Sequence, residues 1–256
     1  MPFEKWHGLG NDFVILDGTV VPASPDSTAV QALCDRRFGV GSDGVLLVTP
    51  LEQDSIRMEM WNPDGSRSGM CGNGLRCATL FARQRDWIRS RGIVRLDERT
   101  VAVHTDGDQV TVEMGSASVG PWIDAPTPEG SATEVSIGNP HVVFFGPAPA
   151  QDQLIKLGHR YQTHEHFPEG VNVHFAEVLG PGEVRQTTFE RGAGITLACG
   201  SGACAVVAAG VATGRLERQT AVHLPGGILQ VEIKEAGPVL MTGPAEFVFV
   251  GTWPLA

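Results

Sequence analysis

Two cysteines carry the chemistry that this sequence can do. Met70-Cys71-Gly72-Asn73-Gly74-Leu75-Arg76-Cys77-Ala78 and Ala198-Cys199-Gly200-Ser201-Gly202-Ala203-Cys204-Ala205 share one pattern, a thiol followed by Gly-x-Gly and an apolar run. A thiol just before a helix sees the positive end of its dipole and unpaired N–H groups, which lowers its pKa toward neutrality. The glycines let a ligand approach closely, so the amides of Gly72, Asn73, Gly200 and Ser201 can bind a carboxylate. A carboxylate held between two such helix starts has a thiol on each side of its α-carbon. One thiolate can remove the α-proton while the opposite thiol donates to the other face. The amides stabilise the charge that moves onto the carboxylate. That is stereoinversion of an amino acid without a cofactor.

Other uses of the cysteines are weaker. Cys71 and Cys77 are six apart and Cys199 and Cys204 five apart, spacings that put neither pair on one helix face, so no metal site is expected. Cys77 and Cys204 fall inside their helices and read as core, as does Cys34. A Cys71–Cys199 disulfide could form on oxidation and would inactivate the protein.

Further polar residues repeat with the thiols. Cys199 lies 128 positions after Cys71 in a chain of 256 residues, and the same offset relates Asn11 to Asn139 and Trp61-Asn62 to Phe189-Glu190. A constant offset over so many matches reads as an internal duplication, two similar lobes that each present one cysteine. Asn11, Asn62, Asn139 and Asn172 carry both donors and acceptors and suit a zwitterion, though Asn11 and Asn62 also suit turns. Glu190 and Arg191 could grip an ammonium and a carboxylate, or form a solvated surface pair. His141 could bias the protonation of one thiol or be structural.

The elements that must position these residues follow from periodicity. In the first half, strands are expected at 3–7, 13–17, 45–48, 56–61, 93–96, 101–104 and 110–113, with helices at 28–37 and from Cys71 to about Trp87. In the second half, strands are expected at 135–137, 142–145, 171–176, 184–189, 221–224, 229–233, 239–242 and 246–250, with helices at 151–159 and 202–212. Each lobe is then a mixed or antiparallel sheet wrapped around a central helix, an α+β fold. The expected division is an N-terminal lobe at 1–115 carrying Cys71, a Gly/Ser/Pro-rich linker at 116–133, and a C-terminal lobe at 134–256 carrying Cys199. The last strand is free to return to the first lobe.

Bulk properties narrow the partners. A formal charge of -10 and a pI near 5.2 argue against a nucleic-acid partner. The stretch from Gly192 to Gly214 carries only Ala, Val, Gly, Cys and other uncharged residues, yet four glycines at its start would break a membrane helix, so a short buried helix is expected instead. With five cysteines and no basic-then-apolar leader pattern, reduced thiols and a cytoplasmic location are expected.

His7-Gly8-Leu9-Gly10-Asn11-Asp12-Phe13, Asn62-Pro63-Asp64-Gly65-Ser66, Cys71-Gly72-Asn73-Gly74, Gly138-Asn139-Pro140-His141, Glu190-Arg191-Gly192-Ala193-Gly194 and Ala198-Cys199-Gly200-Ser201-Gly202 together resemble the diaminopimelate epimerase family over nearly the whole chain. The resemblance implies interconversion of LL- and meso-2,6-diaminopimelate on the route to lysine and peptidoglycan, by two pseudo-symmetric lobes, with no cofactor, commonly as a homodimer. It implies that Cys199 is the base and Cys71 the acid in the LL-to-meso direction. Asn11, Asn62, Asn139, Asn172, Glu190 and Arg191 would hold substrate with the backbone at Gly72-Asn73 and Gly200-Ser201, while His141 and Glu190 would tune the thiols. One position departs from the family: Gly44 stands where many members carry Gln. The alternatives are a racemase of the same family acting on another amino acid, such as histidine or proline, and a non-catalytic carboxylate- or zinc-binding protein. Proline-type members usually carry His where this chain has Asn73.

Overall fold

Strand alternation and turn chemistry account for most of the elements. The computed structural model describes residues 1–21, 23–97, 99–123, 132–235 and 237–254. By its contacts the chain divides into two compact units, Met1–Val112 with Gly243–Ala256, and Glu113–Thr242.

In the first unit, β1 (Pro2–Gly8) and β2 (Asn11–Asp17) form a hairpin, and β2 runs parallel to β3 (Gly44–Pro50). β3 pairs antiparallel with β4 (Ser55–Trp61), and β4 runs parallel to β5 (Arg91–Arg95). The sheet continues antiparallel through β6 (Thr100–Asp106) to β7 (Gln109–Gly115). Helix α2 (Gly72–Arg83) packs against β1, β2, β3, β4 and β6, and its residues from Gly72 to Ala82 are all buried. Helix α1 (Ser27–Cys34) is capped by the Asp26 carboxylate, which accepts from Ala29 N at 2.8 Å. It stops three residues short of the expected Arg37. The Asp35 carboxylate accepts from the N–H groups of Arg37 and Phe38 instead, a local turn that competes with the helix.

The second unit repeats the plan. β9 (Ala132–Ser136) and β10 (Pro140–Phe145) are antiparallel, and β10 runs parallel to β11 (Asn172–Gly180). β11 pairs antiparallel with β12 (Glu183–Glu190), which bonds the short β13 (Gly194–Ile195) and runs parallel to β14 (Gln219–Leu224). β15 (Gly227–Ile233) and β16 (Val239–Pro244) extend the sheet antiparallel. Helix α3 (Gln151–Gln162) covers β11 and β12, with Leu154, Tyr161, Phe167, Phe175 and Phe189 in one apolar cluster. Helix α4 (Gly200–Ala212) is the central helix, apolar and buried on nearly every side, as its Ala/Val composition requires. No helix among the described residues is long and apolar enough to cross a membrane. The fold is α+β.

The expected linker at 116–133 is corrected in its described part. Ser118–Ile123 is a strand, β8, which pairs antiparallel with β9 from Ser118 opposite Ser136 to Ile123 opposite Ala132. Its Gly, Ser and Pro content hid it, because the ladder is supplied by a partner far along the chain. The remainder, 124–131, lies outside the described residues. The lobe boundaries change with it. β17 (Glu246–Thr252) pairs antiparallel with β1, from Pro2 opposite Thr252 to His7 opposite Glu246, and belongs to the first unit. β8, the strand that occupies the same place in the first copy of the repeat, belongs to the second. Each copy thus gives its last strand to the unit built by the other, covering what would be an open sheet edge at β1 and at β9.

Candidate functional site

In the first unit, Cys71 is the N-cap of α2, with extended backbone (φ -145°, ψ 114°). Its Sγ accepts from Gly74 N at 3.4 Å and lies 3.7 Å from Asn11 Oδ1. Asn11 is brought there by the tight turn Leu9-Gly10, both at positive φ (57° and 83°), as a two-residue hairpin requires. Asn11 Oδ1 also accepts from Asn73 Nδ2 at 3.0 Å, while Asn11 Nδ2 donates to Asp43 Oδ2 at 2.8 Å. The fully buried Arg76 donates to Asn73 Oδ1 and to Pro244 O, both at 3.0 Å. Each amide of this set therefore has one assigned orientation. Asp43 is held in turn by Arg36, which bridges it to Asp12. Burial works against the Asp12 carboxylate, yet Arg36 and Lys5 hold it below its usual range.

Asn62 stands apart from this group. Its Nδ2 donates to Ser66 Oγ at 3.0 Å within the turn that ends β4, the use that its turn chemistry suggested. Gly44 opens β3, where a Cβ would lie 2.7 Å from the Trp61 carbonyl oxygen, so this chain's backbone leaves no room for a larger residue without a shift.

In the second unit, Cys199 is the N-cap of α4 (φ -119°, ψ 104°) and is 4 % exposed, with Ser201 Oγ 3.7 Å from its Sγ. The sequence suggested a thiol pKa lowered by the helix start, and this is corrected for Cys199. Burial pushes it well above the ordinary thiol value and the Glu190 charge pushes it further, against the downward pull of the Gly202 N–H and the Ser201 hydroxyl. Cys77, inside α2, is driven up to about 12 by the same burial and is an inert core thiol. None of the five cysteines is in a disulfide.

The remaining second-unit residues cluster on the ends of β10, β11 and β12. Asn172 Nδ2 donates to Pro140 O at 3.2 Å, and its Oδ1 accepts from Arg191 N at 3.0 Å. The Glu190 carboxylate accepts from Thr196 Oγ1, and its carbonyl accepts from Gln162 Nε2 at 2.8 Å. Arg191 is exposed, with Nη1 3.0 Å from Glu169 O. His141 is wholly buried, and its Nε2 is 3.0 Å from Asn139 Oδ1. Burial, aided by the Arg191 charge, pushes His141 down to about 3. The ring is therefore neutral near pH 7.

Four supporting residues went unmarked in the sequence: Asp43, Arg76, Thr196 and His174. Only His174 left a trace, a polar residue between Val173 and Phe175 in β11. Among the described residues no group of three or more His, Cys, Asp and Glu could hold a metal ion.

Solved structures of low sequence identity share this fold. A hydroxyproline epimerase from Agrobacterium vitis matches 98% of this chain and 91% of its own, with a TM-score of 0.71 and 17% identity. A phenazine biosynthesis protein from Bacillus anthracis matches 100% and 99%, with a TM-score of 0.75 and 13% identity. The finer assignment comes from sequence. Residues 3–120 and 133–248 match the model of the diaminopimelate epimerase family. A diaminopimelate epimerase from Desulforudis audaxviator is 44% identical over 279 aligned residues, covering 99% of both chains. The chain belongs to the diaminopimelate epimerase family.

Proposed function

We propose that this isomerase interconverts LL- and meso-2,6-diaminopimelate, with Cys71 and Cys199 serving opposite faces of one α-carbon. The observation that carries the proposal is the matched placement of the two thiols. Each is the N-cap of the buried central helix of its own repeat, beside an asparagine or serine of the next Gly-x-Gly. In the LL-to-meso direction the Cys199 thiolate takes the α-proton, and the electron pair of the broken C–H bond moves into the carboxylate. The Cys71 thiol then gives its proton to the opposite face. One thiol and one thiolate exchange roles, and the step balances between them.

The amides of Gly72, Asn73, Gly200 and Ser201 are assigned to the carboxylate as it gains charge, where one such donor is worth about 3 kcal/mol. Asn11, Asn62, Asn139, Asn172, Glu190 and Arg191 are assigned to the rest of the substrate. Glu190 has a second task. Its charge raises the Cys199 pKa, so a substrate ammonium paired with it relieves that effect and eases loss of the thiol proton when substrate is bound. The enzyme is assigned to the cytoplasm and to a homodimer, for which sedimentation is the test.

The reaction is checked with the purified chain in heavy water, offered LL-diaminopimelate and a panel that includes histidine and proline. We expect meso product that carries solvent deuterium at its inverted α-carbon in early turnover, and no exchange into the other amino acids. Turnover confined to another amino acid would replace the substrate, and absence of exchange on every compound would remove the reaction.

A further inference from the structure

Beneath Cys199 lies a line of buried polar side chains that the reaction above does not use. His141 Nδ1 is 2.8 Å from His174 Nε2, and His174 Nδ1 is 2.9 Å from Thr188 Oγ1. Gln186 Nε2 lies 2.9 Å from Thr188 Oγ1 and 3.3 Å from His174 Nδ1. His141, His174 and Gln186 have no exposed surface, and Thr188 is 2 % exposed. The His174 ring packs on the first turn of α4, where a Cβ built at Gly202 would be 2.3 Å from His174 Cε1 and 3.0 Å from Cys199 Sγ.

The repeat shows that the fold does not require these polar groups. The residues 128 positions earlier are Phe13, Leu46, Met58 and Met60, all buried and all apolar. They share the register: Leu46 is opposite Met60 as His174 is opposite Thr188. The first copy thus fills the same space with ordinary core side chains. Burying a polar group costs free energy that its hydrogen bonds only offset, so four of them at these positions call for a use.

The hydrogen bonds fix a direction. Asn139 Oδ1 can only accept, so His141 Nε2 carries the proton. A neutral His141 then accepts at Nδ1, which makes His174 Nε2–H the donor. His174 must accept at Nδ1, and there it meets the Thr188 hydroxyl and the Gln186 amide, both able to donate. Burial keeps both rings neutral, His174 pushed well below the ordinary value and His141 to about 3.

We infer that His174, Thr188 and Gln186 are positioning residues: they lock the Nε2–H tautomer of His141, which holds Asn139 with its oxygen turned inward and its NH2 group presented to the substrate. This deepens the proposed reaction and rests on the assignment of Asn139 to substrate binding. Reversing the His141 tautomer would turn the Asn139 amide over, so that an oxygen instead of two N–H donors meets a substrate carboxylate.

The test combines spectroscopy with kinetics. With isotope-labelled imidazole nitrogens, NMR of the wild-type protein should show the Nε2–H tautomer for both His141 and His174. His174→Leu removes the donor and should move His141 toward the Nδ1–H form. It should also lower kcat/KM on the order of tenfold, the cost of one misdirected buried hydrogen bond. His174→Gln, whose amide nitrogen reaches the place of Nε2, should restore most of that loss. Thr188→Val, close in shape to the original, should loosen the tautomer of His174. A wild-type His141 protonated on Nδ1 would overturn the inference, as would equal activity in the Leu and Gln variants. The tautomers are read without substrate, so a wrong substrate and a wrong relay give different results.

Discussion

Glu190 and the two buried histidines set the protonation behaviour of the second unit, and each makes a separable claim. Glu190 raises the Cys199 pKa by its charge, after burial, which is the larger cause. Glu190→Gln removes a negative neighbour, so Cys199 should ionise at lower pH. The ultraviolet absorbance of thiolate should then begin to rise earlier in an alkaline titration than in the wild type. An unchanged or later onset would show that Glu190 does not act on this thiol. His141 and His174 both have folded-state pKa values below the ordinary 6.5, His141 at about 3. Between those values the unfolded chain binds more protons than the folded one, so stability is present in full above 6.5 and falls as the pH drops toward 3. Each such histidine contributes a slope of up to about 1.4 kcal/mol per pH unit. Urea unfolding of His174→Leu across this range should show a shallower fall than the wild type.

The central helices α2 and α4 begin alike but sit on different floors. A Cβ at Gly74 would make ordinary contacts at 3.5 Å or more with Cys71 and Leu46, whereas a Cβ at Gly202 would enter the His174 ring. Alanine is the better helix former by about 1 kcal/mol. Gly74→Ala should therefore be neutral or mildly stabilising, and Gly202→Ala should destabilise by about 1–3 kcal/mol through overpacking. Denaturant midpoints of the two variants decide the point, and equal effects would show that the two floors pack alike. At this scale much was legible beforehand. The cysteine-glycine motifs placed both helix starts, and period-two alternation placed most strands. α1 was read too long because Asp35 offers its own local turn, a competition that periodicity does not register. β8 escapes the pattern because Gly120 and Pro121 interrupt its alternation and its pairing comes from β9.

Over the whole chain, the duplication is visible as a constant offset and the return of the last strand was left open, while the reciprocal transfer of β8 was not visible, since sequence similarity records ancestry of a segment and not its ladder partner. Site chemistry followed the same division. The thiols, amides and asparagines stand out by residue type, but the partners that fix their orientation do not. Asp43 reaches Asn11, Arg76 reaches Pro244 and His174 reaches His141 over long separations in the chain, which no local pattern records. The corrected Cys199 pKa has the same origin, because burial is a property of packing and here outweighs the helix end that the motif announces. The proposed function requires two thiols acting on one carbon, and isotope exchange tests that most directly. LL-diaminopimelate in heavy water is followed for inversion and α-deuterium with wild type, Cys71→Ser and Cys199→Ser. We expect inversion with one solvent deuterium in the wild type and loss of inversion in each serine variant; full inversion by either variant would contradict the assignment of acid and base.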